Sequence, residues 1–325
     1  GQVPRESYMR QALALARDVH GAIGPNPRVG AVLVAPDGTV VGRGAHQGAG
    51  TAHAEAVALA DAGPAARGAT AYVTLEPCNH YGRTPPCALA LIDAGVTAVH
   101  YAIPDPTTSA GGGQTCREAG LDVTQGLLAD EARAFLTPWL FAVTHDRPFV
   151  TCKVASTLDG YIAAQDGSSR WITGPQARSW VQEELRAQVD AVAVGSGTYR
   201  ADDPQLTVRD LPVVRQPLRY VLGDADVAVG FTAIPGHDVT AALQQMYGEG
   251  VRHLLLEGGA TVVAAFIRAD MVDDLVWFTA PKMLGAGTRA IGELGISAID
   301  SAIAWQVNDV QSVGDDVMIR SSRRR

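Results

Sequence analysis

Apolar and polar positions along this chain follow two rhythms, one helical and one strand-like, and the changes between them mark out the elements. Tyr8, Ala12, Leu15, Ala16 and Val19 recur at helical spacing, so Ser7–Val19 is predicted as an amphipathic helix. Val29–Ala35 is an apolar run of strand length, and Pro36-Asp37-Gly38 turns it into a second strand over Thr39–Gly44. Ala54–Ala62 reads as a helix closed by Gly63-Pro64. A strand over Ala69–Leu75 stops at Glu76-Pro77-Cys78, and a helix over Pro86–Ala94 is closed by Gly95. A strand over Val96–Ile103, another near Asp122–Gln125 and a helix from Ala129 to Val143 follow. Strands alternating with helices predict a layered α/β sheet covered on its faces.

His145-Asp146-Arg147-Pro148 is polar, ends the last helix and precedes a new apolar strand, Phe149–Ala155. The boundary is set there, giving domains 1–146 and 147–325. The second half repeats the alternation, with strands near Ala191–Val194, Arg219–Leu222, His253–Glu257 and Asp274–Thr279. Its helices are expected near Pro175–Gln188, Val239–Tyr247 and Ala260–Ala269. The halves share no internal repeat. The basic ending, Ser321-Ser322-Arg323-Arg324-Arg325, is read as a frayed tail.

Composition narrows the class. A chain of 325 residues, 47% hydrophobic and 18% charged, suits two ordinary globular domains. No apolar run is long enough to span a bilayer, and Gly1–Glu6 lacks a basic-then-apolar signal pattern, so a cytoplasmic address is expected. The net charge of −8 argues against general nucleic-acid binding. It leaves room for a small phosphorylated substrate held by a few local Arg and Lys residues. Four cysteines are too few for a disulfide scaffold, and Cys116 and Cys152 read as packing residues.

Cys78 and Cys87 are different, because they are close together in a polar, Pro-rich loop. Cys78 follows a strand end and Cys87 opens a helix after Pro85-Pro86, while His53-Ala54-Glu55 sits where a loop becomes a helix. Two thiolates and a neutral imidazole balance Zn²⁺ and leave a fourth tetrahedral position for water, the arrangement of a catalytic zinc site. Helix starts stabilise thiolates through their unpaired N–H groups. The ion lowers the pKa of its water from about 15.7 toward about 7. Glu55, near the metal but not bound to it, is the candidate proton shuttle. A structural site with His80 as fourth ligand is the alternative. Taken together, these residues point to a zinc-dependent deaminase.

The nucleobase-deaminase signature usually separates its cysteines by two residues; here the intervening stretch is Asn79-His80-Tyr81-Gly82-Arg83-Thr84-Pro85-Pro86. The segment Thr74–Cys87, together with Pro25-Asn26-Pro27-Arg28-Val29-Gly30 and His46, resembles the bifunctional riboflavin-biosynthesis deaminase–reductases, and the likeness runs almost the full length. The resemblance implies a cytidine-deaminase-like three-layer α/β/α domain followed by a dihydrofolate-reductase-like α/β domain. It also implies the substrate, a diaminopyrimidinone carrying a ribosylamino 5′-phosphate and deaminated at ring carbon 2. Asn26, His46 and His80 would contact the pyrimidine, and Arg83 and Asp105 the ribose phosphate. These roles suit an amide, imidazoles and a guanidinium. Thr107 stands where the family usually has Asn, and a hydroxyl replaces one amide contact rather than two.

No dinucleotide fingerprint marks the second half; Gly285-Ala286-Gly287-Thr288-Arg289-Ala290 lacks the strand-then-helix context and reads as a loop. Resemblance supplies the reading instead, through Lys153–Gly160, Ser169–Thr173, Ala201–Arg209 and Leu256–Thr261. It implies NADPH-dependent reduction of the ribosyl group to ribityl. Ser169, Arg186, Leu206, Arg209 and Glu257 match substrate positions. Ser156, Trp171, Thr198 and Asp202 match cofactor positions, and Lys153 would bind the opened sugar or deliver a proton. Gly258-Gly259 before a helix offers bare N–H groups to a cofactor phosphate. Asp224 replaces the usual Ser after a strand, and turned inward it would repel the 2′-phosphate of NADPH. Family members suggest a homodimer or homotetramer. Two other readings stand beside this one: a deaminase of transfer-RNA adenosine, and a deaminase whose second half binds cofactor or partner without catalysis.

Overall fold

The computed structural model describes residues 2–324, and the chain divides into two compact units that meet between His145 and Asp146. In the first unit the order is α1 (Gln2–Arg17), β1 (Gly30–Val34), β2 (Val40–Ala45), α2 (Ala54–Ala62), β3 (Thr70–Leu75), α3 (Cys87–Asp93), β4 (Ala98–Ile103), α4 (Gly112–Glu118), β5 (Asp122–Gln125) and α5 (Ala129–His145). The strands form one sheet in the order β2-β1-β3-β4-β5. Within it, β1 runs antiparallel to β2 and β3, while β3, β4 and β5 are parallel.

Two glycines show how helices cover both faces of this sheet. In the β1–β2 ladder Gly30 pairs with Ala45, and Ala31 pairs with Gly44, so Gly30 and Gly44 point to opposite faces. A Cβ on Gly30 would come within 1.9 Å of the Ala12 carbonyl of α1, and one on Gly44 within 2.2 Å of the Ala54 carbonyl of α2. Each helix therefore lies directly on strand backbone, α1 on one face and α2 on the other. The buried stripe of α1 is Met9, Ala12, Leu13 and Ala16, rotated from the predicted stripe; Tyr8 and Leu15 lie at its border.

The second unit contains β6 (Phe149–Thr157), β7 (Tyr161–Ala163), α6 (Pro175–Trp180), β8 (Ala191–Gly195), α7 (Ser196–Asp202), β9 (Leu218–Leu222), β10 (Phe231–Ile234), α8 (Val239–Gly248), β11 (His253–Leu256), α9 (Ala260–Arg268), β12 (Asp274–Ala280), β13 (Thr288–Arg289), β14 (Trp305–Val313) and β15 (Asp316–Arg323). Its main sheet has the order β10-β9-β8-β11-β6-β12-β15-β14. The strands from β10 through β12 are parallel, and β15 and β14 close the edge antiparallel. Ala191 and Ala193 of β8 face one apolar core with α8 and α9, while Val192 and Val194 face a second core with Ala177, Val181 and Leu185. Burial on both faces explains why this strand reads as an unbroken apolar run.

Two expectations are corrected here. The helix predicted over Pro175–Gln188 is interrupted: α6 gives way to a π-helical turn over Val181–Leu185 and a 3₁₀ turn over Arg186–Gln188. The C-terminal segment is not frayed. Ser321 pairs with Leu275 of β12, and Arg323 forms an ion pair with Asp270 at 3.0 Å, so the basic residues sit in a sheet; Arg325 lies outside the described residues. Among the described residues, no helix is long and apolar enough to cross a membrane.

Candidate functional site

Three segments of the first unit converge on one point. His53 precedes the first turn of α2, Cys78 follows the end of β3, and Cys87 is the first residue of α3. One ligand atom from each lies within 4.8 Å of the others. His53 Nδ1 is 3.4 Å from Cys87 Sγ and 3.7 Å from Cys78 Sγ. A tetrahedral ion with bonds of about 2.3 Å to sulfur and about 2.0–2.1 Å to nitrogen needs roughly 3.5 Å between such donors. The donor set and its spacing fit zinc. His80 is exposed on the loop and is not one of the converging group, so the three-ligand arrangement is the one observed among the described residues.

The start of α3 favours the thiolate of one of the two sulfurs. The Cys87 backbone N–H donates to Cys78 Sγ at 3.2 Å. A hydrogen bond from the Cys87 thiol, opposed by burial and reinforced by His53, lowers the Cys78 thiol to about 4. Cys87 is shifted upward, because it gives that hydrogen bond and is buried. Glu55, in the first turn of α2, is buried and in hydrogen-bonding contact with Cys87. Burial pushes its carboxyl up to about 7, a range suited to taking and returning a proton.

His46 links the cluster to Asn26. Its Nδ1 is 3.0 Å from the Ala52 carbonyl, an acceptor only, so Nδ1 carries the proton. Nε2 must then accept from Asn26 Nδ2 at 3.0 Å, which leaves the Asn26 carbonyl oxygen as that amide's remaining acceptor. The His46 ring stands edge-on to His53 with centroids 5.5 Å apart. Asn26, His46 and His53 thus form a continuous polar wall. Arg83 is exposed on the loop that carries His80; among the described residues, no hydrogen bond or ion pair holds either side chain.

Asp105 and Thr107 build one turn. Both the backbone N–H and the hydroxyl of Thr107 donate to Asp105 Oδ1, at 2.7 and 2.6 Å, and the Thr107 oxygen accepts from the Ser109 N–H at 3.2 Å. The hydroxyl is therefore engaged within the loop. Glu76 was not singled out from sequence, yet its buried carboxylate accepts from the N–H groups of Asp105, Gly111 and Gly113. It ties this loop to the turn that carries Cys78. An acid wedged between an apolar strand and Pro77 was the available signal, since a buried carboxylate must find donors.

In the second unit three of the candidate residues, Lys153, Arg186 and Glu257, come together. Glu257, just past β11, accepts from Arg186 Nε at 2.7 Å and Arg186 Nη2 at 3.1 Å, and Lys153 Nζ of β6 lies 3.6 Å away. Burial would raise the Glu257 carboxyl, but Arg186 and Lys153 hold it below its ordinary value. Trp171 is 56% exposed, with the Arg178 guanidinium 4.2 Å above its ring. A Cβ on Gly259 would come within 2.8 Å of Thr198 Oγ1, so the Gly258-Gly259 turn forms a cradle that a side chain would fill. That bare backbone beside a hydroxyl fits a cofactor phosphate.

Other candidates are arranged differently. The Ser156 hydroxyl is buried, donating to the Thr157 carbonyl and accepting from the Trp277 indole at 2.9 Å. The Leu206 side chain belongs to the core at 2% exposure. Either residue can meet a ligand only through its backbone. Ser169 is half-buried, and Arg209 and Asp202 are exposed. The Asp202 carbonyl accepts from Arg170 at 3.5 Å.

Together, fold and cluster define a cytidine-deaminase-type unit followed by an α/β reductase-type unit. The family model of the cytidine and deoxycytidylate deaminase zinc-binding region matches residues 3–103, and that of the RibD C-terminal domain matches residues 148–319. The riboflavin biosynthesis protein RibD of Mycobacterium tuberculosis is 41% identical, over 97% of this chain and 96% of its own. The Escherichia coli K12 protein of that name is 37% identical, over 97% and 98%. The solved structure of Acinetobacter baumannii RibD superposes with a TM-score of 0.90 at 35% identity over 100% of both chains. A diaminohydroxyphosphoribosylaminopyrimidine deaminase/5-amino-6-(5-phosphoribosylamino)uracil reductase from Thermotoga maritima gives 0.90 at 32%, over 99% of both. The chain belongs to the RibD family of riboflavin-biosynthesis deaminase–reductases.

Proposed function

We propose that the chain performs two consecutive steps of riboflavin biosynthesis. The first unit hydrolytically deaminates 2,5-diamino-6-ribosylamino-4(3H)-pyrimidinone 5′-phosphate, and the second reduces the ribosyl group of the product to ribityl with NADPH. The observation that carries this reading is the convergence of His53, Cys78 and Cys87 beside buried Glu55. These three residues would hold Zn²⁺, which supplies a water acidified toward neutral pH. Glu55 takes one proton from the attacking water and returns it to a ring nitrogen, then moves the proton of the added hydroxyl to the amine, so that the carbon–nitrogen bond breaks and ammonia leaves a carbonyl behind. Asn26 and His46 orient the pyrimidine with His80. Arg83 takes the phosphate end together with Asp105, whose turn Thr107 braces.

In the second unit Arg186 and Glu257 form the buried part of the substrate pocket, with Ser169, Arg209 and the backbone of Leu206 around them. Lys153, beside Glu257, binds the opened sugar or delivers a proton. The Gly258-Gly259 cradle with Thr198 takes a cofactor phosphate, while Trp171, Asp202 and the backbone of Ser156 line the rest of its path. NADPH supplies the hydride when bound, and the protein supplies position and charge. This reading includes a cytoplasmic address, no nucleic-acid partner and a homo-oligomer. Light scattering tests the last of these, and retention on a polynucleotide column at physiological salt would contradict the second.

Supplying the phosphorylated diaminopyrimidinone and following ammonia release, then nicotinamide absorbance after NADPH is added, tests both steps. Ammonia first and NADPH oxidation second is the expected order. Absence of ammonia removes the deaminase reading. Ammonia release without NADPH oxidation leaves the second unit as a non-catalytic module.

A further inference from the structure

A cavity of about 670 Å³ opens at the carboxyl ends of β9 and β10, well within the size range of small-molecule pockets. Arg200 of α7, Gly223, Asp224 and Asp226 after β9, and Pro235 after β10 line it. The helix that supplies Arg200 also carries Thr198, whose hydroxyl meets Gly259 on its other side. The cavity and the Gly258-Gly259 cradle therefore flank one short helix, above neighbouring parallel strands. Open parallel sheets take extended dinucleotides in crevices at the carboxyl ends of their strands.

The lining has a mixed character. Arg200 Nη1 donates to the Asp224 carbonyl at 2.8 Å, and Nη2 lies 3.5 Å from Ser196 Oγ, so the guanidinium is anchored over the turn. Asp224 and Asp226 are both exposed on that turn. A carboxylate in such a position suits a ribose 2′-hydroxyl and repels a 2′-phosphate, whereas a guanidinium suits the phosphate. Two acids and one guanidinium leave an unfavourable balance for a phosphate dianion.

We infer that this cavity receives the adenosine ribose of the nicotinamide cofactor, and that Asp224 and Asp226 offset Arg200 there, so that the chain binds NADH nearly as well as NADPH. The inference rests on the cofactor reading above. Its test is the pair of equilibrium dissociation constants for NADPH and NADH on the full chain, measured by calorimetry without substrate. In the wild type the two should differ by less than about tenfold. Asp224→Asn with Asp226→Asn should raise the preference for NADPH by about tenfold, as expected from removing two like charges beside a phosphate. Arg200→Gln should weaken NADPH more than NADH. A wild-type preference for NADPH beyond about tenfold overturns the inference, as does an unchanged ratio in the doubly substituted chain. If neither dinucleotide binds the wild type, the cofactor reading fails first and the inference falls with it.

Discussion

In the first unit the converging donors His53, Cys78 and Cys87 come from a loop–helix junction and the two ends of one Pro-rich loop; Cys78 Sγ accepts an N–H at the start of α3, and His53 sits just before α2. In the second unit Lys153 comes from the middle of β6, Arg186 from a 3₁₀ turn and Glu257 from just past β11, and the parallel pairing of β6 with β11 brings Lys153 level with Glu257. The first site joins side chains no more than 34 positions apart, whereas the ion pairs of the second span 71 or more. Damage to the first should therefore remove its chemistry and leave a folded chain, whereas damage to the second should also lower stability.

The largest effect expected is on the metal centre. Cys78→Ala, or stripping the wild type with a chelator, should abolish ammonia release while NADPH-dependent reduction of added deaminated substrate continues. Loss of both activities together would break the proposed independence of the two sites. Next comes Arg186→Ala, which leaves buried Glu257 facing only Lys153 at 3.6 Å. Removing one partner of a buried pair costs about 3–5 kcal/mol. Chemical denaturation should show that loss in the transition of the second unit only, with deamination unchanged.

A smaller effect is expected from Gly44→Ala, whose Cβ would lie 2.2 Å from the Ala54 carbonyl and 2.6 Å from the Ala58 nitrogen. Overpacking of this kind costs about 1–3 kcal/mol. Because α2 carries Glu55 and follows His53, zinc affinity should fall as well; an unaltered affinity would show that the helix position does not govern the metal. The smallest effect is a pH dependence. Glu257 is more acidic folded than unfolded, so its pairing contributes fully above the unfolded value of about 4.3. That contribution declines as the pH falls through this value toward the lower folded one. Melting of the second unit should lose stability across that acid range, with a slope about one proton shallower in Glu257→Gln.

The same contrast explains what could be read from sequence. β1 and β8 are buried along their whole length and appear as apolar runs. Nearly all of β14 is exposed, so no apolar face marks it in the sequence, and the last three residues of β15, Ser321–Arg323, are polar and basic and read as tail. Helices α4 and α7 are short, and α4 opens with Gly112-Gly113, which gives little helical periodicity to detect. The convergence of His53, Cys78 and Cys87 was legible because Pro77 and Pro85-Pro86 fix where strand stops and helix begins. Glu76 was not, since its partners are backbone N–H groups 29 to 37 positions away, which side-chain identity does not reveal. Nor does a sequence disclose that the hydroxyls of Thr107 and Ser156 are already occupied by neighbours.

Zinc content and ammonia release, measured side by side on the wild type and Glu55→Gln, address the metal-assisted deamination most directly. Both proteins should carry one zinc per chain, and the variant should release ammonia at least about 10²-fold more slowly. A chain that takes up no zinc, or a Glu55→Gln protein that turns over at the wild-type rate, would contradict the account.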